Sequence, residues 1–591
     1  MPQDGSFYQS RYGKPKLATA RRMPAIGILL MVLTACGSGS SSDPESDQLP
    51  DTMTSTNNLP LAVADTATTN ANTLVTIDLA ANDSELQDTP VIFSLDTAPT
   101  IGSVTESADG NFIYIPAQDF DGSDSFIYAV TDANGDRSTA RVDVTIVASA
   151  GTIEGELIAA FSLGQRVANA EVTLLYNNTS VLTDADGRYR FDIPGALPIA
   201  EEFLALSITA DGYRPREANV ELNTENNFEL MSQNAYRYFT PVQLNDGIAT
   251  KNLSETTIDA TLINQLMQRV SQPNNSQRFQ EVHSLLIYKD GALVVEQYNI
   301  GNDDFIRFED NIARDSSRPD KQWSRTEKHY LASVNKSLTS TIAGIALDAY
   351  GLEVDDKISL LLPEKASHFA DANNAALSIY HMLTMQLGFE WDEWSSNDLA
   401  LLWQSNDFTE FLLNRNNAGP ESDWVYNSAS PNMLLRGLDN TVDGGIRDWA
   451  HTNFYSKLGI SDYDWLSQPD GIPEGGARMH MRPRDMLKIG ITYLNNGVWN
   501  NEQVIPANWV ADISTVQYSG PDGDYSYFFW HRTINNIPYL SAEGDGGQYI
   551  NIFPDQNMVI VMTQGNYLEW PLYVVQADDM MGNYILPAVI N

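Results

Sequence analysis

The chain of 591 residues has a single cysteine, Cys36. One thiol excludes any intrachain disulfide, so the fold rests on burial and hydrogen bonding whatever redox compartment it meets. Basic residues are scarce: 35 Lys and Arg stand against 77 Asp and Glu, a formal charge of −42. Such a surface repels phosphate backbones, so no nucleic-acid partner is expected. The 7 histidines include no His-x-x-x-His or His-x-His pair, so no metal site is expected from them. The apolar run Ile26–Leu33 is far short of the ~20 residues a spanning helix needs, and no other segment is long enough. What is present is ordinary globular material, 42% hydrophobic with 26 tyrosines. That length exceeds what one core supports, so three or four domains are expected.

The basic N-terminus, ending in Arg21-Arg22, precedes Ile26–Leu33 and then Leu33-Thr34-Ala35-Cys36. A positive region, a short apolar region and small residues before a cleavage point make a secretion signal. The Leu-Thr-Ala-Cys sequence resembles a bacterial lipobox, which implies cleavage before Cys36 and a diacylglycerol on its sulfur. A plain secretory signal with an incidental cysteine is the simpler alternative. Gly37, rather than Asp, follows the cysteine; by resemblance to Gram-negative lipoproteins this implies the outer membrane. Residues 1–35 therefore read as signal peptide, and 36–57, rich in Gly, Ser, Asp and Pro, as a flexible tether. The expected setting is the bacterial cell envelope, with membrane contact through lipid on Cys36.

From 58 to 148, short apolar alternations are broken by turn signals. Leu74–Leu79, Phe112–Ile115, Phe126–Val130 and Val142–Ile146 read as strands, with Asp109-Gly110 and Asn134-Gly135 as hairpin turns. The spacing predicts a β-sandwich. The phrases Asp119–Phe126 and Thr131–Asp136 resemble bacterial cadherin-like modules. Their acids offer oxygen ligands to calcium, although Gly122 is misplaced for an EF-hand loop; acids serving as turn residues is the other reading. A second sandwich is expected over 151–231. Ala168–Leu175, Thr183–Phe191 and Ile208–Tyr213 resemble the carboxypeptidase regulatory-like fold, with Asp186-Gly187 as a hairpin turn. Neither module shows a catalytic constellation, which suits spacers or adhesive units.

Residues 233–591, with a core from about 280, behave differently. Ser284–Tyr288 and Ala292–Tyr298 form a hairpin about Asp290-Gly291, and Tyr549–Phe553 and Met558–Thr563 form another. Ser333 opens a helical run with Leu338, Ile342, Ile345 and Leu347 on one side, and a helix about Leu572–Ile585 ends the chain. Strands at both ends with helices between predict an α/β domain whose sheet joins its N- and C-terminal segments.

Within it lies Ser333-Val334-Asn335-Lys336. A serine hydroxyl is a poor nucleophile until a base takes its proton. Residues i and i+3 share a helix face, so Lys336 can set its amine beside Ser333. Composition alone yields roughly two Ser-x-x-Lys matches in such a chain, and a serine there is otherwise a helix cap. Specificity comes from order along the chain. Downstream are Asp423-Trp424-Val425-Tyr426-Asn427-Ser428 and Gly544-Asp545-Gly546-Gly547-Gln548. Together with His381–Phe389, Met481–Gly490 and Ile505–Val510, these segments resemble, in family order, the β-lactamase and penicillin-binding-protein family of serine hydrolases. The resemblance covers about residues 280–591. It implies an antiparallel sheet flanked by helices, plus an all-helical region. It further implies Ser333 as nucleophile, Lys336 and Tyr426 as the proton-handling pair, and the backbone N–H groups of Ser333 and Gln548 as oxyanion hole. Ser428, Asp545, Gly546 and Gly547 would line the substrate.

Two departures narrow the activity. Members that handle β-lactams commonly place Lys-Thr-Gly where this chain has Asp545-Gly546-Gly547, and an acid there repels a carboxylate. Tyr-x-Ser, in place of the asparagine-ending element of β-lactamases, is closer to the class C-related esterase and amide-hydrolase branch, which includes hydrolases of nylon oligomers. β-Lactam hydrolysis is therefore not the expected activity. Phe389, Trp391, Trp394, Trp403 and Trp424, with Tyr525, Tyr527, Phe528, Phe529 and Trp530, offer an apolar cleft or simply core. The expectation is a serine hydrolase of a small ester, amide or peptide, needing no cofactor. A D-amino-acid peptidase of cell-wall peptides and a non-catalytic adhesive surface lipoprotein are the alternatives. His329 reads as a structural residue, with an auxiliary base as the sharper option.

Overall fold

The computed structural model describes residues 57–591 apart from 107–110, 161, 196, 198, 234, 272–278, 308–311, 394 and 591. Cys36, the signal and most of the tether lie outside the described residues, as do Asp109, Gly110 and Trp394. No described helix is long and apolar enough to cross a membrane. The chain divides into two compact units, 1–148 and 149–591.

In the first unit, period-two patterning places Phe126, Tyr128, Val142 and Val144 on one face of adjacent antiparallel strands, Gly122–Thr131 and Arg137–Val147. A four-stranded sheet runs Asp65–Asn70, Arg137–Val147, Gly122–Thr131, Ile92–Thr97, and a three-stranded sheet Val75–Ile77, Phe112–Ile115, Ser103–Glu106. Phe112 and Tyr114 join Phe126, Tyr128, Val142 and Val144 in the shared core, giving the expected sandwich. Strands Asp65–Asn70, Ile92–Thr97 and Ser103–Glu106 escape a sequence reading because they are largely polar or exposed.

Two of the acids considered as calcium ligands, Asp124 and Asp132, are engaged within the protein. Asp124 accepts the Gly102 N–H and the Tyr114 hydroxyl at 2.8 Å each, and the Ser125 N–H at 2.8 Å. Asp132 accepts the Asn134 and Asp136 N–H groups at 2.9 Å each, which is the geometry of an acid closing its own turn. Among the described residues no group of three or more His, Cys, Asp or Glu is placed to hold a metal ion.

The second unit contains both the second β-module and the α/β domain. The module pairs Thr179–Leu182, Glu171–Leu174, Ala205–Thr209 and Arg216–Asn219 in one sheet, and Arg188–Pro194, Ser149–Ala159 and Phe228–Leu230 in the other. It is clamped to the α/β domain by polar contacts. Arg214 is buried and donates to the Ser271 carbonyl at 2.6 Å and to Asn299 Oδ1 at 3.4 Å. Glu217 pairs with Arg325 at 2.7 Å. A spacer would not bury a guanidinium against its neighbour, since an unpaired buried cation is strongly unfavourable.

The α/β domain is built on an eight-stranded sheet. Its strands are β1 (Val282–Lys289), β2 (Ala292–Tyr298), β3 (Tyr518–Gly520), β4 (Gly523–Ser526), β5 (Phe529–Ile534), β6 (Ile537–Gly544), β7 (Gln548–Phe553) and β8 (Met558–Gln564), in the order β2-β1-β8-β7-β6-β5-β4-β3. The β1–β8 pairing, Leu285 opposite Met562, joins the two ends of the domain as expected. β1 reads as one continuous apolar run because both of its faces are covered. Leu286 packs in the cluster containing α1 (Val334–Tyr350), while Leu285 and Ile287 pack with the helix Ala260–Val270 and the C-terminal helices.

Helix α1 is buried from Val334 through Leu347, between the sheet and the helices of residues 358–458. Several of its buried polar side chains donate to backbone carbonyls around it: Asn335 to Glu474, Ser337 to Phe528 and Thr339 to Gly475, at 2.6–2.9 Å.

Because the second β-module is clamped on, a chain of residues 149–591 should unfold in one transition. Removal of 149–232 should lower the melting temperature by at least about 2 °C, since a chain of this length shifts by roughly 1–2 °C per kcal/mol. Calorimetry of the two chains checks this; equal melting temperatures would contradict the clamp.

Candidate active site

Ser333 immediately precedes α1, and its side chain makes no capping bond to that helix. The cap reading of this serine is thus replaced by another use of the hydroxyl. Ala332, the residue before it, has φ of 47°, a left-handed conformation that a non-glycine residue adopts only under constraint from its surroundings. Lys336 follows one turn later on the same face, only 1% exposed. Its Nζ donates to Ser333 Oγ at 2.9 Å, to Ser428 Oγ at 2.9 Å and to the Gly476 carbonyl at 3.0 Å. An ammonium has three N–H donors, and all three are used.

Ser428 stands at the equivalent place before α2 (Ala429–Asp439), again without a capping bond. Two helix N-termini thus deliver hydroxyls to one amine. Tyr426, two residues earlier, is half-buried and lays its ring 4.8 Å from Lys336 Nζ. Its hydroxyl makes no hydrogen bond with the described residues, so Tyr426 is beside the pair without yet being linked to Ser333.

The third expected element also converges here. Gly544 ends β6, and a side chain there would lie 3.2 Å from Ser333 N, 3.2 Å from Gln548 Cβ and 2.3 Å from the Leu331 carbonyl. Only glycine fits so close to Ser333. The turn continues through Gly546 and Gly547, at φ of 82° and 99°. Gln548 opens β7 in register with Gly544 and donates its amide to the Gln564 carbonyl at 2.6 Å. Asp545, outside the ladder, directs its carboxylate to the Leu568 N–H at 2.8 Å and the Tyr573 hydroxyl at 3.1 Å. Its charge is thus occupied by the segment leading into α3 (Leu572–Met580). Neither the Ser333 nor the Asp545 N–H has an acceptor among the described residues.

Three contributors escaped the sequence reading. Glu393 is buried, accepting the Ser428 hydroxyl at 2.6 Å and the Trp391 indole N–H at 3.1 Å. Burial raises its pKa, opposed first by the Lys336 charge and then by these hydrogen bonds. Glu474 is fully buried and accepts the N–H groups of Gly476, Ala477 and Arg478 at 2.6–2.8 Å. That bends the chain so that the third residue, Gly476, offers its carbonyl to Lys336. Local sequence marks none of these as special: a run such as Glu390-Trp391-Asp392-Glu393 reads as solvated loop.

Of the aromatics, Phe389, Trp391, Tyr525, Tyr527, Phe528 and Phe529 are buried core. Trp424 and Trp530 stay partly exposed; Tyr426 stacks on Trp530 at 6.0 Å and Trp424 on Tyr518 at 5.3 Å. His329 is buried against Trp323, 2.7 Å from His283 and 3.2 Å from the Tyr567 hydroxyl. Burial, and then neighbouring His283, hold its pKa well below the usual value, which suits the structural role.

Residues 263–571 match the sequence profile of the family described as Beta-lactamase, just over half of the chain. The chain belongs to the β-lactamase family. Residues 57–145 match the bacterial Ig domain, a β-sandwich as expected of the first module. The 6-aminohexanoate-dimer hydrolase of Paenarthrobacter ureafaciens is 24% identical over 274 residues, covering 42% of this chain and 67% of that protein. Among solved structures, a putative 6-aminohexanoate-dimer hydrolase from Bacillus anthracis aligns at 18% identity and a TM-score of 0.44, covering 61% of this chain and 90% of that one. A family VIII carboxylesterase aligns at 13% identity and a TM-score of 0.42, covering 54% and 95%. The family places this chain among serine hydrolases of the β-lactamase fold.

Burial raises the Asp545 carboxyl to about 6, against the hydrogen bonds from Leu568, Tyr573 and Gly546. A carboxyl with a raised folded-state pKa favours the protonated fold, so its contribution is present in acid and is lost as pH rises through about 4 to 6. The melting temperature of Asp545→Asn minus that of the parent should therefore increase across this window and level off above about 7. A difference that falls with pH would contradict it.

Proposed function

We propose that this protein hydrolyses a small ester or amide through an acyl-enzyme on Ser333. The observation that carries the reading is the Lys336–Ser333 contact of 2.9 Å at the foot of a buried helix, with Tyr426 against the same amine. In the proposed cycle Ser333 Oγ attacks the carbonyl carbon as its proton passes to the Lys336 amine. Tyr426 relays a proton to the leaving group, and water then releases the acyl group by the reverse route. The oxyanion would lie between the Ser333 N–H and the Asp545 N–H. The unpaired state of the Asp545 N–H moves the second donor there from Gln548, which sits inside the β6–β7 ladder.

The substrate we infer is neutral or cationic at the third element. The nearby Arg532 is held by Glu543 at 2.8 and 3.0 Å, leaving no basic group there to clamp a carboxylate. The amide bond of the substrates named for the 6-aminohexanoate-dimer hydrolases suits the same chemistry, with the free carboxylate of such a dimer directed away from this element. Trp424, Tyr518 and Trp530 would offer it an apolar wall.

The whole chain should hydrolyse short p-nitrophenyl esters. Ser333→Ala should remove turnover by about three orders of magnitude or more, and Tyr426→Phe should lower kcat by about 10²-fold. Turnover retained in Ser333→Ala would overturn the reading. We also infer a lipid-anchored envelope protein, on the lipobox-like Leu33-Thr34-Ala35-Cys36. Cys36→Ala should move the protein from the membrane to the soluble fraction of cells; an unchanged distribution would contradict the anchor.

A further inference from the structure

The mechanism just proposed requires Lys336 as a free amine, whereas its contacts with two hydroxyls and a carbonyl accommodate the ordinary ammonium form of lysine as well. A route is needed by which it loses a proton without exposure to water, since it is only 1% exposed. One of its acceptors, Ser428 Oγ, is itself a donor, at 2.6 Å, to Glu393 Oε1. Amine, hydroxyl and carboxylate form a continuous line of two hydrogen bonds.

We propose that Glu393 is the proton store for the base: before acylation, the Lys336 ammonium passes a proton through the Ser428 hydroxyl to the Glu393 carboxylate. An Nζ–H bond breaks as an O–H bond forms on Ser428. The former Ser428 O–H breaks as a bond forms to Glu393 Oε1. No electrons are exchanged and no proton leaves the site; an ammonium and a carboxylate become an amine and a carboxylic acid. The freed lone pair then takes the Ser333 proton. Burial favours the neutral acid on Glu393, and the Trp391 N–H holds its other oxygen in place. Glu393 touches no reacting atom and is a positioning residue acting through Ser428.

The other titratable groups around the line are Tyr426, whose ring faces Lys336, Tyr525 on β4, and Glu474, which shapes the turn at Gly476. Glu474 is bound by the N–H groups of its own turn and by the Asn432 amide, and of the described carboxylates only Glu393 accepts from the Ser428 hydroxyl.

The relay and a plain counter-ion role predict opposite pH shifts. In the relay, the active pair of Lys336 and Glu393 holds one proton, so the acidic limb of the rate reports loss of the second proton from the doubly protonated pair. With glutamine, the active state requires deprotonating the ammonium itself, and the limb moves up. If Glu393 only balances charge, deleting a buried anion makes the ammonium less stable, and the limb moves down.

The inference rests on the Ser333 reading, and the test separates the two. The rate of Ser333 labelling by a fluorophosphonate, and kcat/KM on a p-nitrophenyl ester, are measured from about pH 5 to 10 on the whole chain and its variants. Glu393→Gln should label at least about tenfold more slowly at pH 7, with the acidic limb shifted upward and KM little changed. Ser428→Thr, which keeps the hydroxyl, should keep the acidic limb at the parent position even where the rate itself falls. Ser428→Ala should reproduce Glu393→Gln, and the double variant should be no worse than either, because the two residues act as one unit. A limb that moves down or stays put in Glu393→Gln overturns the relay alone, as does an unaffected Ser428→Ala should Glu393→Gln not fold. An inert parent chain overturns both readings.

Discussion

A lysine amine shut away from water is the constraint on which this molecule is organised. Lys336 sits one turn into a helix with no exposed face through Leu347. A charge so placed is strongly unfavourable unless every donor is met by an oriented acceptor. The fold supplies three: the hydroxyl before its own helix, the hydroxyl before α2 and a backbone carbonyl in the Glu474-bound turn. Behind them stands Glu393, and beside them the face of Tyr426. The proposed hydrolysis draws on the same arrangement, because one of the three partners of the amine is the Ser333 hydroxyl.

The architecture reads as the means of bringing those acceptors together. β1 and β8 close the sheet from opposite ends of the domain, and α1 is pinned between that sheet and the helical region. Gly544 lets β6 pass within contact of Ser333, at a distance no other side chain would allow. The second β-module belongs to this framework too. Arg214 reaches Asn299, whose carbonyl accepts the Trp323 N–H, and the Trp323 ring lies against His329, four residues before Ser333.

Local rules carried the sequence reading a long way. The i, i+3 spacing of Ser333 and Lys336 puts both on one helix face, and hairpins such as β1–β2 follow from Asp-Gly between two apolar runs. What stayed hidden depends on contacts distant in sequence. Strands β3 to β6 were not anticipated, and β3 has no buried residue to set a pattern. Glu393, in an acidic stretch, becomes a buried carboxylate only because Trp391 and Ser428 close over it. Asp545 was expected to face substrate, but Leu568 and Tyr573, 23 and 28 residues downstream, claim its carboxylate. Arg214, in a β-module that reads as a spacer, acquires its role only from the carbonyl of Ser271.

The central claim is that Ser333 is the residue that becomes acylated. The most direct measurement is mass spectrometry of the chain after reaction with a fluorophosphonate, followed by mapping of the modified peptide. The account predicts one adduct per chain, on Ser333, blocked by prior incubation with an ester substrate. A folded chain that takes up no label, or carries it on another residue with Ser333 unmodified, would contradict it.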